Sequence, residues 1–449
     1  MKIALVTARR DPFISPYDMD GGCVVLRNYI KELYKLGHEV SVFTRLEKES
    51  ALNDKKTNAK ARMQAKHGID RVVANEGVTI YRIPYTPAFH RNATEEGQFI
   101  EAKSFTKNLE KHLRSENFDV IHYFHLMSIG GWLLYDTEIP FLDKTLFSPL
   151  LLTKGRTFQF PIEKRIELEG KIFHTCKYIV SQSKGELAEI KKYYKTDGRK
   201  LFKIPLGIDK NIFSPKTTFN FAKRNRLVII NPNSIRPQKR QSDLVEITKK
   251  LRDNGIRSLV LFVGNESDPR YTKEVQDEIV ANHLTFIKLK KFSAKSFDKI
   301  KADFVFLKGQ KEADLAPVIR YSDIAIFSSR DEGFSLSMIN CMACGTLPFC
   351  YDLHAYDDYL IQGENAIAVP LKTGVPGIIK ALLKIVTNKK LLLRLSKTAI
   401  NVSNNFTWSI LIEKQIAIYR NIKNNKSLKN IKHAGLKNWV NLSDGNEIT

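Results

Sequence analysis

Short apolar runs alternate along most of the chain with longer stretches whose apolar positions recur every three or four residues. That alternation predicts repeated strand–helix units and a parallel α/β sheet. Residues 2–7 read as the first strand. The loop Asp18-Met19-Asp20-Gly21-Gly22 then opens a helix, with Val25, Tyr29, Leu33 and Leu36 spaced for one buried face. Gly37-His38 closes that helix, and residues 39–44 form the next strand. Further strands are expected at 78–81 and 120–123. Residues 48–70, polar and rich in Lys, read as a mobile surface loop.

A second series of apolar runs starts at 227–230 and continues at 259–264, 304–307, 324–327 and 347–350. Between the two series, Ile204-Pro205-Leu206-Gly207-Ile208-Asp209 has the turn chemistry of a connection. The chain of 449 residues suits two cores better than one. The expected division is 1–205 and 206–408, with a helix over 409–422 that crosses back to the first domain. From 423 to 449 the sequence is Asn- and Lys-rich without periodicity and reads as a loose tail.

Composition narrows the class. Apolar residues at 43% and charged residues at 27% describe a soluble globular protein. No apolar run approaches the ~18–20 residues that span a bilayer, and residues 1–10 lack the apolar core of a signal peptide. The 72 Lys and Arg against 48 Asp and Glu leave a formal charge of +24. That excess points to an anionic lipid surface, nucleic acid or a phosphorylated substrate. With no recognition module in which basic and aromatic residues are interleaved, nucleic acid is set aside. The odd set Cys23, Cys176, Cys341, Cys344 and Cys350 fits a reducing cytoplasm. Cys341 and Cys344 have C-x-x-C spacing, but no second ligand pair follows, so no metal site is expected.

The chemistry concentrates in residues 329–346, SRDEGFSLSMINCMACGT. A strand ends just before this segment, and a glycine loop leads to a helix near Leu336. In open α/β sheets, ligands bind outside the carboxyl ends of the strands. A helix N-terminus there offers unpaired N–H groups to phosphate or hydroxyl oxygens. Glu332 lies on the loop and Asn340 about one turn into the helix, so the two are spaced to hold different parts of one ligand.

This segment resembles the E-x7-E region of family 4 (group 1) retaining glycosyltransferases, the sucrose synthase and glycosyl transferases group. Their pattern reads E-G-F-G followed by E-A-M-A-C-G-T-P. The resemblance runs over roughly residues 1–422. It includes Gly21-Gly22, Gly37-His38-Glu39-Val40, Asp119-Val120-Ile121-His122-Tyr123-Phe124-His125 and Phe406-Thr407-Trp408. It implies the GT-B fold, two Rossmann-like doubly wound α/β domains facing across a cleft. It also implies transfer of a sugar from a nucleotide-sugar donor, UDP- or GDP-linked, with retention of anomeric configuration and without a metal or other cofactor. By the resemblance Glu332 holds the donor sugar, the amides of Phe334, Ser335 and Leu336 contact the donor, Asn340 faces the ribose, Gly22 meets a phosphate, and His125 stands near the reacting groups.

The phosphate clamp departs from the family's pattern, G-R-L then K-G three residues on. Aligning Pro237-Gln238-Lys239 keeps Lys239 in place but puts Ser234 where the Arg belongs. Arg236 or Arg240 is then expected to supply the missing charge. Ser335 replaces a glycine, Asn340 replaces the second Glu, and no His occurs in residues 142–149, where many relatives carry one. These departures leave a second reading open, a non-catalytic GT-B subunit that binds nucleotide sugar. The acceptor (a glycan, a lipid-linked molecule or a small molecule) is not fixed by any motif. Lys55, Lys56, Lys60, Arg62 and Lys66 on the polar loop, with Lys103, Lys107, Lys111 and Arg114 at helical spacing, predict peripheral contact with an anionic membrane from the cytoplasmic side.

Overall fold

The computed structural model describes residues 1–8, 12, 21–46, 72–73, 78–88, 94–135, 137–156, 160–215, 226–386 and 388–425. Its backbone contacts divide the chain into two compact units, Met1–Pro205 together with the chain from Trp408 onward, and Leu206–Thr407.

The first unit is built from β1 (Lys2–Thr7), α1 (Gly21–Lys35), β2 (Glu39–Arg45), β3 (Val72–Val73), β4 (Thr79–Ile83), α2 (Glu95–Arg114), β5 (Val120–Phe124), α3 (Leu126–Leu133), β6 (Thr145–Ser148), α4 (Glu163–Thr175), β7 (Tyr178–Ser181), α5 (Lys184–Tyr194) and β8 (Leu201–Lys203). The strands lie in the order β3-β4-β2-β1-β5-β6-β7-β8, parallel except for β3 against β4. β1 is central, with Ile3 opposite Val40 on one side and Val120 on the other. Helices cover both faces, which is why this strand reads as a continuous apolar run rather than an alternating one.

α2 shows how local chemistry sets an element. The Thr94 hydroxyl caps it by accepting from Gly97 N at 3.1 Å, and Glu95 and Glu96 occupy its first turn. α3 then packs closely on α2: a Cβ at Gly131 would stand 2.3 Å from the Ala102 carbonyl oxygen, so only glycine fits.

Val25, Tyr29 and Leu33 are buried on α1, but Leu36 is 45% exposed. The helix stops at Lys35, and Gly37 at φ 75° reverses the chain, which swings Leu36 outward.

The second unit contains β9 (Leu227–Asn231), α6 (Asp243–Asp253), β10 (Ser258–Val263), α7 (Pro269–Ala281), β11 (Phe286–Leu289), α8 (Ala294–Asp298), β12 (Phe304–Leu307), α9 (Glu312–Tyr321), β13 (Ile324–Phe327), α10 (Leu336–Ala343), β14 (Leu347–Asp352), β15 (Ile367–Pro370), α11 (Gly374–Ile385) and α12 (Lys389–Ser403). Its parallel sheet has the order β11-β12-β10-β9-β13-β14-β15. From β9 the chain winds first toward β10 and later returns on the other side through β13. The strand order therefore reverses between β9 and β13, where open α/β sheets place their ligands.

The last helix, α13 (Trp408–Lys423), belongs to the first unit. Trp408 packs edge-on against Tyr29 of α1, with ring centroids 5.9 Å apart. Among the described residues no helix is long and apolar enough to cross a membrane.

Candidate active site

The site of the second unit is assembled by hydrogen bonds that stitch two strand ends together. Asn231, the last residue of β9, donates through Nδ2 to the Ile326 carbonyl of β13 at 2.8 Å. Beyond it the chain turns through Asn233 and Ser234 and enters a short 3₁₀ turn, Pro237–Lys239, whose proline pre-sets the backbone. Gly264, just past β10, makes room for this loop: a Cβ there would lie 2.1 Å from the Asn233 carbonyl oxygen. From the end of β13, the Ser328 hydroxyl reaches both carbonyls that close the turn, Lys239 O at 2.8 Å and Arg240 O at 2.9 Å.

This bracing brings two distant charges together. The Lys239 ammonium donates to the Glu332 carboxylate, and each side chain is only 10% exposed. A largely desolvated pair of this kind holds two opposite charges ready at one point, at the cost of taking both partly out of water.

The loop carrying Glu332 then enters α10. Ser335 sits at φ 73°, ψ 79°, a left-handed conformation that costs a non-glycine residue about 1–2 kcal/mol. Phe334 faces away from solvent: its ring packs on Tyr359 at 5.0 Å and Phe406 at 6.2 Å, and its carbonyl accepts from the Tyr359 hydroxyl. Only its backbone is left for a ligand. Leu336 is the first helical residue. Asn340, one turn further, is 8% exposed, and its side chain has no hydrogen-bond partner among the described residues.

Neither arginine near the clamp joins the Lys239–Glu332 pair. Arg240 has a left-handed backbone and turns to Asp243, Nη2 to Oδ1 at 2.9 Å. Arg236 is exposed, with its backbone N–H on Gln241 Oε1 at 3.4 Å. The expected replacement for the arginine missing at Ser234 is therefore not found in Arg240.

In the first unit the two histidines of the β5 segment have different fates. His122 is fully buried between the Tyr419 hydroxyl, 2.7 Å from Nδ1, and the Ser148 hydroxyl, 2.8 Å from Nε2. Burial holds it well below its ordinary pKa, so it is a neutral core residue. His125 caps α3 from a strained backbone, φ 73°, with Nδ1 accepting from Met127 N at 3.4 Å. Its backbone N–H donates to the Ser148 carbonyl at 2.8 Å. Gly22 is the second residue of α1; the loop before it, residues 13–20, lies outside the described residues.

Two family models together match most of the chain. "Glycosyl transferases group 1" matches residues 215–402, and "Glycosyltransferase Family 4" matches residues 19–211. The chain belongs to the group 1, family 4 glycosyltransferases.

One similar family member is a D-inositol 3-phosphate glycosyltransferase from Stackebrandtia nassauensis, 22% identical over 93% of this chain and 91% of the relative. Among solved structures, sucrose-phosphate synthase from Thermosynechococcus elongatus superposes with a TM-score of 0.72 at 17% identity, covering 94% of this chain and 99% of that one. HepE from Anabaena, solved with UDP-glucose, superposes with a TM-score of 0.65 at 11% identity over 93% and 98% of the two chains. Both likenesses establish the GT-B fold.

Against the family's motifs, this glycosyltransferase carries several site features that pattern reading did not single out. Ser328 braces the lysine turn and Tyr359 anchors the Phe334 carbonyl. Asn233, Ser329 and Tyr356 each bury a polar side-chain atom without a partner among the described residues. For the serines the signal was present, a Ser-Ser pair at the end of an apolar run. The tyrosines lie past β14 in a stretch without periodicity. All five cysteines are buried, with Cys341 in α10 and Cys344 at its C-cap.

Proposed function

We propose that this protein transfers a sugar from a nucleotide-sugar donor, UDP- or GDP-linked, to an acceptor with retention of anomeric configuration. The observation that carries the reading is the Lys239–Glu332 pair at the strand-order reversal of the second sheet. On donor binding, Lys239 exchanges the carboxylate for the diphosphate, and Glu332 becomes free to accept from sugar hydroxyls. When the bond from the sugar's anomeric carbon to the phosphate oxygen breaks, the electron pair leaves with the diphosphate. Lys239 and the unpaired N–H groups at the start of α10 meet that developing charge. Fixed dipoles and charges aimed at the place where charge appears commonly lower such a barrier more than any other single effect.

UDP-glucose in HepE supports a uridine donor, and the phosphorylated acceptor in the name of the Stackebrandtia relative supports an anionic one. The acceptor class is a glycan, a lipid-linked molecule or a small molecule. The +24 charge favours one that carries phosphate or lies at an anionic membrane, reached from the cytoplasm. Incubation of the full chain with UDP-glucose, UDP-N-acetylglucosamine, GDP-mannose and ADP-glucose tests the reading. Release of the nucleoside diphosphate from one donor is expected. Neither binding nor release with any of them would overturn it.

A further inference from the structure

Of the buried polar side-chain atoms in the second unit that have no partner among the described residues, three lie just beyond the carboxyl ends of three neighbouring strands. Asn233 follows β9 and is 8% exposed, with Nδ2 unpaired among the described residues. Ser329 follows β13, is 1% exposed and leaves Oγ unpaired. Tyr356 follows β14, is 2% exposed and leaves its hydroxyl unpaired. β9, β13 and β14 are consecutive in the sheet. Buried polar atoms are nearly always bonded, so three orphans on one edge of one sheet call for a common partner.

Their neighbours say what that partner carries. Ser329 adjoins Ser328, whose hydroxyl holds the Lys239 and Arg240 carbonyls, so it follows directly on the residue that braces the lysine turn. Asn233 lies on the loop that leads into the same turn. Tyr356 stands one turn before Tyr359, which is bonded to the Phe334 carbonyl in the Glu332 loop. Burial, and after it the nearby charges of Glu332 and Asp331, keep the Tyr356 hydroxyl protonated as a donor.

We propose that Asn233, Ser329 and Tyr356 form a neutral cradle of hydrogen-bond donors for the nucleotide sugar, Asn233 and Ser329 at the diphosphate and Tyr356 at the transferred sugar. The inference rests on the nucleotide-sugar reading of the site. It assigns to uncharged donors the contacts that Ser234, in place of a basic residue, does not make.

Ser329→Ala and Tyr356→Phe each remove one hydroxyl and nothing else. In the free protein those hydroxyls bond no described residue, so neither substitution is expected to lower the melting temperature; a structural hydroxyl would. Calorimetry on the full chain with UDP, UDP-glucose, GDP and GDP-mannose supplies the second readout. Ser329→Ala is expected to weaken both the nucleotide and its sugar conjugate by about 3- to 10-fold. Tyr356→Phe is expected to weaken the conjugate by a similar factor and leave the bare nucleotide unchanged. Parent-like binding of the conjugate by both variants overturns the cradle while the donor reading stands, as does a fall in stability without a fall in affinity. Failure of the parent to bind any of the four overturns both.

Discussion

Lys239 and Glu332, 93 residues apart in sequence, form one ion pair where β9 and β13 end. The pair exists because Ser328 fixes the lysine's turn to the strand that leads to the glutamate loop. Removing either partner leaves the other charge partly buried and uncompensated, which is where such pairs show their energetic weight.

Glu332→Ala should therefore cut turnover by roughly 10- to 100-fold, since a charge-assisted hydrogen bond to the reacting sugar is worth about 1.5–3 kcal/mol. The measurement is nucleoside diphosphate release at saturating donor, with circular dichroism to establish that the variant folds. Parent-like turnover in folded protein would remove Glu332 from the chemistry.

Much of this site was legible in the sequence because strand ends and glycine loops are punctuated locally. The strand at 324–327, the loop with Glu332 and the helix at Leu336 all fall where the pattern of residues 324–346 puts them. Strands β7, β8, β11 and β15 do not stand out from their surroundings in the sequence. Each has only three or four residues, and β11 exposes Ile287 and Lys288, so no apolar run marks it. Side-chain direction was not legible at all. Nothing in Arg236-Pro237-Gln238-Lys239-Arg240 says that the lysine turns to Glu332 while Arg240 turns to Asp243, because both partners lie on other segments of the fold.

Asn340 offers a second test. Its side chain is nearly buried and unpartnered among the described residues, so a carboxylate placed there would accept from a ribose diol more strongly than an amide does. Asn340→Glu is expected to tighten nucleotide binding by about 3- to 10-fold without unfolding α10. Weaker binding of every nucleotide in calorimetry would mean that the site has been rebuilt around asparagine.

His122 sets a pH dependence in the first unit. Its folded pKa is depressed well below 6.5 by burial, whereas the unfolded chain titrates near that value. The stability it contributes is present above pH 6.5 and is lost as pH falls, because only the unfolded state takes up the proton. Urea unfolding of the parent and of His122→Gln, compared at about pH 7.5 and 5.5, should show the parent's advantage shrinking by roughly 1.4 kcal/mol. An advantage that stays constant with pH would mean that His122 is protonated in the folded protein.

The positive charge leads to the last expectation. Of the four basic residues at helical spacing on α2, Lys107 and Lys111 are exposed and form no ion pair among the described residues. Lys103 lies over the Tyr135 ring at 5.4 Å, and Arg114 is paired with Glu110 at 2.8 Å, so the face is narrower than its spacing implies. The five basic residues at positions 55–66 lie outside the described residues. Each lysine near an anionic surface contributes on the order of 1 kcal/mol, so Lys107 and Lys111 alone give weak docking that other basic residues must reinforce. Screening acts on all of them, because the Debye length falls from about 10 Å at 0.1 M salt to about 3 Å at 1 M. Co-sedimentation should show the full chain on phosphatidylserine-containing vesicles but not on neutral ones. Binding should disappear in 1 M salt and fall when both lysines are changed to glutamate. Equal recovery with neutral vesicles, or none with either, would leave the α2 lysines as a solvated helix face.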